Sequence, residues 1–198
     1  MTTNYATLAQ VKGALRITDT IDDALLNTAI SAASRWLDSY CDRSFSKATA
    51  VRDYVPTGRM DALVVDDVHV ITAVKIDEDL DRTFGTTLRA IDFQLEPVNQ
   101  RAAGQEGWPY VRIRPQEEGY WPTAPERRAT VRVEGTFGWA AVPDAIREAT
   151  ILQASRLYTR LSSPVGVVSF GDMGAIRVSR FTDPDVEMLL APFRRVRF

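Results

Sequence analysis

Lysine, histidine and cysteine are almost missing from this 198-residue chain: there are three lysines (Lys12, Lys47 and Lys75), one histidine, His69, and one cysteine, Cys41. A lone cysteine excludes an intrachain disulfide and fits a reducing compartment. A His-based zinc site would need more ligands than one His and one Cys. They fall in different predicted elements with no nucleophile–base motif around either, so Cys41 reads as a buried residue near a helix end and His69 as a strand or loop residue. There is no G-x-x-x-x-G-K-[ST] and no G-x-S-x-G, which removes P-loop ATPases and nucleophile-elbow hydrolases. No apolar run approaches the roughly 18–20 residues that cross a bilayer. The opening MTTNYATLAQ lacks the basic and apolar regions of a secretory signal, so the expectation is a cytoplasmic protein with no membrane partner. A basic excess is missing too. With 24 Lys+Arg against 26 Asp+Glu the formal charge is -2, whereas proteins that coat nucleic acid neutralise phosphates with surplus cations. The imbalance is uneven: residues 1–100 carry 10 basic and 15 acidic side chains, residues 101–198 carry 14 and 11.

What is present is an ordinary globular mixture, 45% apolar and 25% charged, enough for one good core or two small ones. Thr7 is placed to cap a short helix from about Leu8 to Leu15, with Leu8, Val11 and Leu15 on one face and Gly13 weakening it. A stronger helix follows, capped by Asp19 or Thr20. Ile21, Leu25, Ala29, Ala32, Trp36 and Tyr40 make its stripe, and Leu26, Ala33 and Leu37 widen it. Roughly twenty residues give a rod of about 30 Å, with a middle rich in Ala and Ser that lets another helix approach. From about Thr49 to Gly138 short β-rich runs alternate with Pro and Gly: 51–55, 62–65, 70–77, 91–95, 110–114 and 130–134. In VRIRP, Val111 and Ile113 share one face and Arg112 and Arg114 the other; TVRVE alternates likewise. Pro143 then opens a helix with Ile146, Ala149, Gln153, Ala154, Leu157, Tyr158 and Leu161 on its inner stripe. Beyond Ser162-Ser163-Pro164, residues 165–181 could form a hairpin. A last short helix is capped by Asp183, with Pro184 at its first position and Val186, Leu189 and Leu190 as its apolar face. The chain closes on Phe193-Arg194-Arg195-Val196-Arg197-Phe198.

The fold class expected from this pattern is α+β: a small amphipathic helical bundle with an inserted antiparallel β subdomain and a C-terminal arm. The segments are 1–48 (N-terminal helices), 49–140 (inserted β subdomain), 141–164 (long bundle helix) and 165–198 (docking arm). The acidic run Asp77-Glu78-Asp79-Leu80-Asp81 is the one stretch that resembles a cation site, but it lacks the glycine and bidentate glutamate of an EF-hand loop, and a solvated turn explains it as simply. The pair Asp66–Asp67 reads the same way. The Arg-aromatic terminus is a docking strand or hook for another protein before it is a nucleic-acid contact. No catalytic residue, cofactor or metal ligand is expected. The remaining enzyme reading is a carboxylate-dependent, metal-binding hydrolase using Asp77–Asp81; a third reading is a DNA-binding accessory protein.

Four stretches resemble one known family. YATLAQVKGALRITDTIDDALLNTAISAASRWLDSYCDRSF looks like the N-terminus of tailed-phage head–tail connector (adaptor, or head completion) proteins, where a short helix precedes a longer one that ends in a Y-C-x-R-x-F close. VHVITAVKID is similar to their first β-strands. VRVEGTFGWAAVPDAIREATILQASRLYTRLSSPVGV resembles their segment built on VP, Y-x-R and SP-x-GV. SRFTDPDVEMLLAPFRR resembles their DPDV-and-RR ending. The resemblance implies a non-enzymatic virion protein at the head–tail junction, assembled in host cytoplasm. It implies a ring, a dodecamer, seated beneath the portal protein, extending the DNA channel and docking a stopper or tail-completion protein. Packaged DNA would pass without sequence-specific binding. On that reading Asp183, Pro184, Val186, Leu189, Leu190, Phe193, Arg194, Arg195, Arg197 and Phe198 dock the portal. Leu25, Trp36, Tyr40, Ile146, Leu157 and Tyr158 pack the bundle and the ring.

Overall fold

A computed structural model describes residues 3–99, 107–116, 120–162, 167–169, 175–177 and 183–195. The fold is α+β, and the chain divides into two compact units: Met1–Arg43 with Val142–Phe198, and Ser44–Ala141.

The first unit is helical. Helix α1 spans Leu8–Leu15, and its start is a capping box: the Thr7 hydroxyl accepts the Gln10 N–H at 3.2 Å, and the Gln10 side-chain carbonyl accepts the Thr7 N–H at 2.8 Å. Both amides would otherwise lack acceptors. Thr7→Ala is expected to cost about 1 kcal/mol, read as a lower urea midpoint with an unchanged m-value.

Helix α2, Asp23–Cys41, starts two residues later than its apolar pattern suggests. Asp19 accepts the Ile21 N–H at 3.0 Å in a turn before the helix, and Asp22 at the N-cap accepts the Tyr158 hydroxyl at 2.5 Å, leaving no capping bond of its own. The inner face of α2 is also rotated from the expected stripe. Leu26, Ala29, Ile30, Ala33, Leu37 and Cys41 are the buried positions, Trp36 and Tyr40 are half-buried, and Ile21, Leu25 and Ala32 are exposed. Both stripes have helical spacing; packing selects the one that meets Val11 of α1 and Ala154 of helix α3, Asp144–Ser162. On α3, Ile146 and Ala149 are fully buried, while Leu157 and Tyr158 are half-buried and pack against the same core. Two buried hydroxyls turn back onto their own helices: Ser34 donates to the Ile30 carbonyl at 2.8 Å and Thr150 to that of Ile146 at 2.7 Å.

Helix α4, Pro184–Leu190, begins as expected, with Asp183 accepting the Asp185 N–H at 3.0 Å and Pro184 in the first turn. It does not project as an arm. Together with a 3-10 turn, Ala191–Phe193, it packs on α3 and buries Val186, Leu190 and Phe193 in its own unit. In the tail, Val167–Ser169 and Ala175–Arg177 pair antiparallel, as a hairpin there would require.

The second unit is an antiparallel sheet. Its strands are β1 (Ala48–Tyr54), β2 (Leu63–Ile76), β3 (Thr86–Thr87), β4 (Phe93–Glu96), β5 (Tyr110–Pro115) and β6 (Val131–Phe137), ordered β1-β6-β2-β5-β4 with β3 added on β2. The expected runs 62–65 and 70–77 are one continuous strand, β2, whose register shifts by bulging between Val64 and Val68, Val68 and Val70, and Ile71 and Ala73. Ile91 lies in a 3-10 turn, Ala90–Asp92, not in a strand. Strands β5 and β6 alternate as expected, with Ile113, Val131, Val133 and Phe137 inward. The core they make also holds Leu63, Val65, Val68, Val74, Ile76 and Trp121. Two glycines allow backbones to touch. A Cβ at Gly135 would sit 2.2 Å from the Val70 carbonyl oxygen, and Gly138, at φ +92°, approaches Ser46 so closely that a side chain cannot enter. Among the described residues no helix is long and apolar enough to cross a membrane.

Candidate interaction surfaces

The carboxylates come first, because they carry the enzyme reading. Asp77, the residue after β2, is fully buried. Its two oxygens accept the N–H groups of Asp81 at 3.0 Å and Arg82 at 3.1 Å, and the Arg128 guanidinium donates to it at 2.9 Å. Arg128 also donates to the Leu80 carbonyl, closing a loop in which Leu80 and Arg82 are left-handed, φ 59° and 75°. Asp81 accepts from the Thr83 hydroxyl and amide, which hold its carboxyl below the usual range, and Glu78 accepts the hydroxyls of Tyr120 and Thr86. The acidic run is a turn, but Asp77 is not solvated as expected: it is the acceptor around which the loop folds. Among the described residues no three metal-binding side chains gather.

Asp66 and Asp67 likewise depart from a solvated turn. Both sit inside β2, where Asp66 accepts the Tyr54 hydroxyl at 3.1 Å and pairs with Arg52 at 2.6 Å, and buried Asp67 accepts the Trp139 indole N–H at 3.2 Å. Cys41 is buried at the end of α2, and burial pushes its thiol up to about 11, so at neutral pH it is protonated and a poor nucleophile. His69 lies in β2, half-buried.

The docking residues divide. Val186, Leu190 and Phe193 are spent on their own core, and Leu189 is half-buried. The Arg195 N–H donates to the Cys41 carbonyl at 2.9 Å, tying the end of the chain to the end of α2. Arg194 is exposed and stacks over Tyr40 at 5.1 Å, Tyr40 donates its hydroxyl to Glu187 at 3.1 Å, and Trp36 stacks on Tyr40 at 5.1 Å. Arg156 lies 3.9 Å from Asp183. Pro184 is exposed; Arg197 and Phe198 lie outside the described residues. Beside these, Met188 is 70% exposed. It lies two residues from each of Val186 and Leu190, off the face of α4 that they bury. The outcome is a patch of Trp36, Tyr40, Glu187 and Arg194, with Met188 on the open side of α4. Trp, Tyr and Arg carry much of the binding energy at protein interfaces, and Met is enriched there. A second surface is the outward face of α2, where Ala24, Leu25, Thr28, Ser31 and Ala32 are exposed. Neither surface holds an acid–base or nucleophile constellation.

Residues 5–76, from the turn before α1 to the end of β2, match the family described as phage gp6-like head–tail connector protein. That segment, a little over a third of the chain, is similar to head–tail connector proteins. A search of curated proteins gives no match. Among solved structures the chain is similar to one titled "Neck of empty GTA particle computed with C6 symmetry", with a TM-score of 0.58 and 20% identity over 96% of this chain and 90% of that one. It is similar also to a chain of "Virion of native gene transfer agent (GTA) particle", TM-score 0.54 and 21% identity over 96% and 90%. A third, "Neck of native GTA particle computed with C12 symmetry", aligns at TM-score 0.50 and 18% identity over 96% and 89%. At such identities the likeness establishes the fold, and it extends from the connector segment across the β unit and the C-terminal helices.

Proposed function

We propose that this chain is a structural, non-enzymatic subunit of the neck of a phage-like particle. It works at the head–tail junction as a closed ring of copies, a dodecamer, beneath the portal, where it extends the DNA channel and docks the next neck or tail protein. One observation carries the reading: the connector family match and the near full-length likeness to neck proteins fall on the same chain. The surfaces agree with it. A ring needs a heterologous contact, one face of each copy against a different face of the next. The small, partly apolar outer face of α2 offers one side of such a contact. The Trp36–Tyr40–Arg194 patch with Met188, at the C-terminal end of α2, offers a surface for the portal. A net charge of -2 suits a wall past which DNA slides.

The test is a mass measurement of the purified protein, alone and mixed with its portal. A ring, alone or on the portal, is expected. Met188→Asp should weaken portal binding about tenfold or more without changing the melting temperature. A monomer that ignores the portal at every ratio overturns the reading.

A further inference from the structure

Among the described residues strand β1 is an uncovered edge of the sheet. It runs seven residues in unbroken register with β6, without proline, lysine or bulge. Natural edge strands are usually shielded by just those devices, by shortness or by a cover. Among the described residues no strand pairs with the outer side of β1. Its outward side chains Thr49, Val51 and Asp53 are exposed, and Val51 and the following Val55 are 58% and 46% exposed. Among the described residues no strand pairs with the outer side of the opposite edge, β4, where Gln94 is exposed and the flanking Ile91 and Val98 are 51% and 64% exposed.

We propose that β1 of one copy pairs with β4 of the next, so that the sheets of neighbouring subunits join across a backbone-bonded seam. The inference deepens the ring reading and rests on it for the head-to-tail relation of neighbours. Topology supplies the geometry. Each strand in the order β1-β6-β2-β5-β4 is antiparallel to its neighbour, so the two edge strands run in the same direction. A copy rotated about an axis along the strands brings its β4 beside β1 as a parallel pair, and the step can be repeated. A two-fold β1–β1 pairing would stop at two copies and leave both β4 edges unpaired. The charges suit a seam. Asp53 is held by Arg132 at 2.7 Å, Arg52 by Asp66 at 2.6 Å and Glu96 by Arg114 at 2.6 Å, so no ion on either edge must be buried alone. Val51 and Val55 on one side and Ile91 and Val98 on the other supply apolar contact.

Cysteine trapping on the full chain tests this, because Cys41 is buried and silent. Thr49→Cys and Val51→Cys sample two registers of β1, and Gln94→Cys marks β4. Mild oxidation, repeated with a short bis-maleimide that tolerates a register shift, is followed on a denaturing gel alongside a native mass measurement. The expected result is covalent dimers when a β1 variant is mixed with Gln94→Cys, none from either alone, and a multimer ladder from a chain carrying both. Dimers from Val51→Cys alone would overturn the β4 partner in favour of a two-fold edge. Rings without any cross-link overturn the seam and leave the ring reading standing. A ladder without closed rings supports the seam and sinks the ring. Neither ring nor cross-link overturns both.

Discussion

A chain that stops at residue 182 is expected to lose the cooperative unfolding of its helical unit. The Arg-tipped terminus looks from sequence like an arm whose removal would spare the fold and cost only docking. The packing reverses that. Val186 and Leu190 are fully buried and Phe193 is 9% exposed, and burying a side chain of this kind contributes roughly 1.5–3 kcal/mol. Losing all three takes away an amount comparable to the 5–15 kcal/mol that holds a typical domain together. The Arg195 bond to the Cys41 carbonyl and the Glu187 bond to Tyr40 go with them. Calorimetry with helical circular dichroism should show the helical transition gone, while the sheet around Trp121 keeps its own. Leu190→Ala, a milder cut, should cost about 2–5 kcal/mol. A truncated chain that melts like the whole one would show that α4 is an appendage after all.

The same segment shows where sequence reading succeeds and where it stops. Asp183 and Pro184 act locally, through one capped amide and one fixed φ, so the start of α4 was legible to the residue. Whether its apolar face meets a partner or its own α3 is a tertiary question, and Val186 and Leu190 have the same spacing in either case. Helix α2 repeats the point. Its sequence holds two apolar stripes, and only contact with Val11 and Ala154 decides that Leu26, Ile30 and Ala33 go inward while Ile21 and Leu25 stay out. In the sheet, alternation made β5 and β6 plain, because their partners lie on one side of a simple pleat. Strand β2 was read as two, because Asp66 and Asp67 look like a turn; in place they are satisfied by Tyr54, Arg52 and Trp139, which are distant in sequence. The interaction patch was half legible for the same reason: Trp36, Tyr40 and Arg194 were singled out, but the stacking that joins them is made across 154 residues of chain.

Asp77→Ala is expected to destabilise the β unit by about 3–5 kcal/mol, as removal of one partner from a buried ion pair does. The carboxylate is fully buried and meets three donors: two backbone N–H groups and the guanidinium of Arg128, itself only 22% exposed. Without it the Asp81 and Arg82 amides lose their acceptor and Arg128 keeps only the Leu80 carbonyl. Leu80 and Arg82 are left-handed, which costs on the order of 1–3 kcal/mol each and persists only where surrounding bonds impose it. The loop should therefore open when Asp77 is lost, not merely weaken. Asp77→Asn keeps one carbonyl acceptor but loses the charge facing Arg128, and should fall between the two. Exposed Asp79 has no such role, so Asp79→Ala should stay within about 0.5 kcal/mol of the parent. Urea unfolding of the sheet signal measures all three. The same variants decide the enzyme question. If the acidic run is a loop scaffold, titrating the parent chain with magnesium, calcium or manganese gives no saturable heat. If it holds an ion, binding is stoichiometric and disappears in Asp79→Ala while stability does not, a result that would return the hydrolase reading to the front.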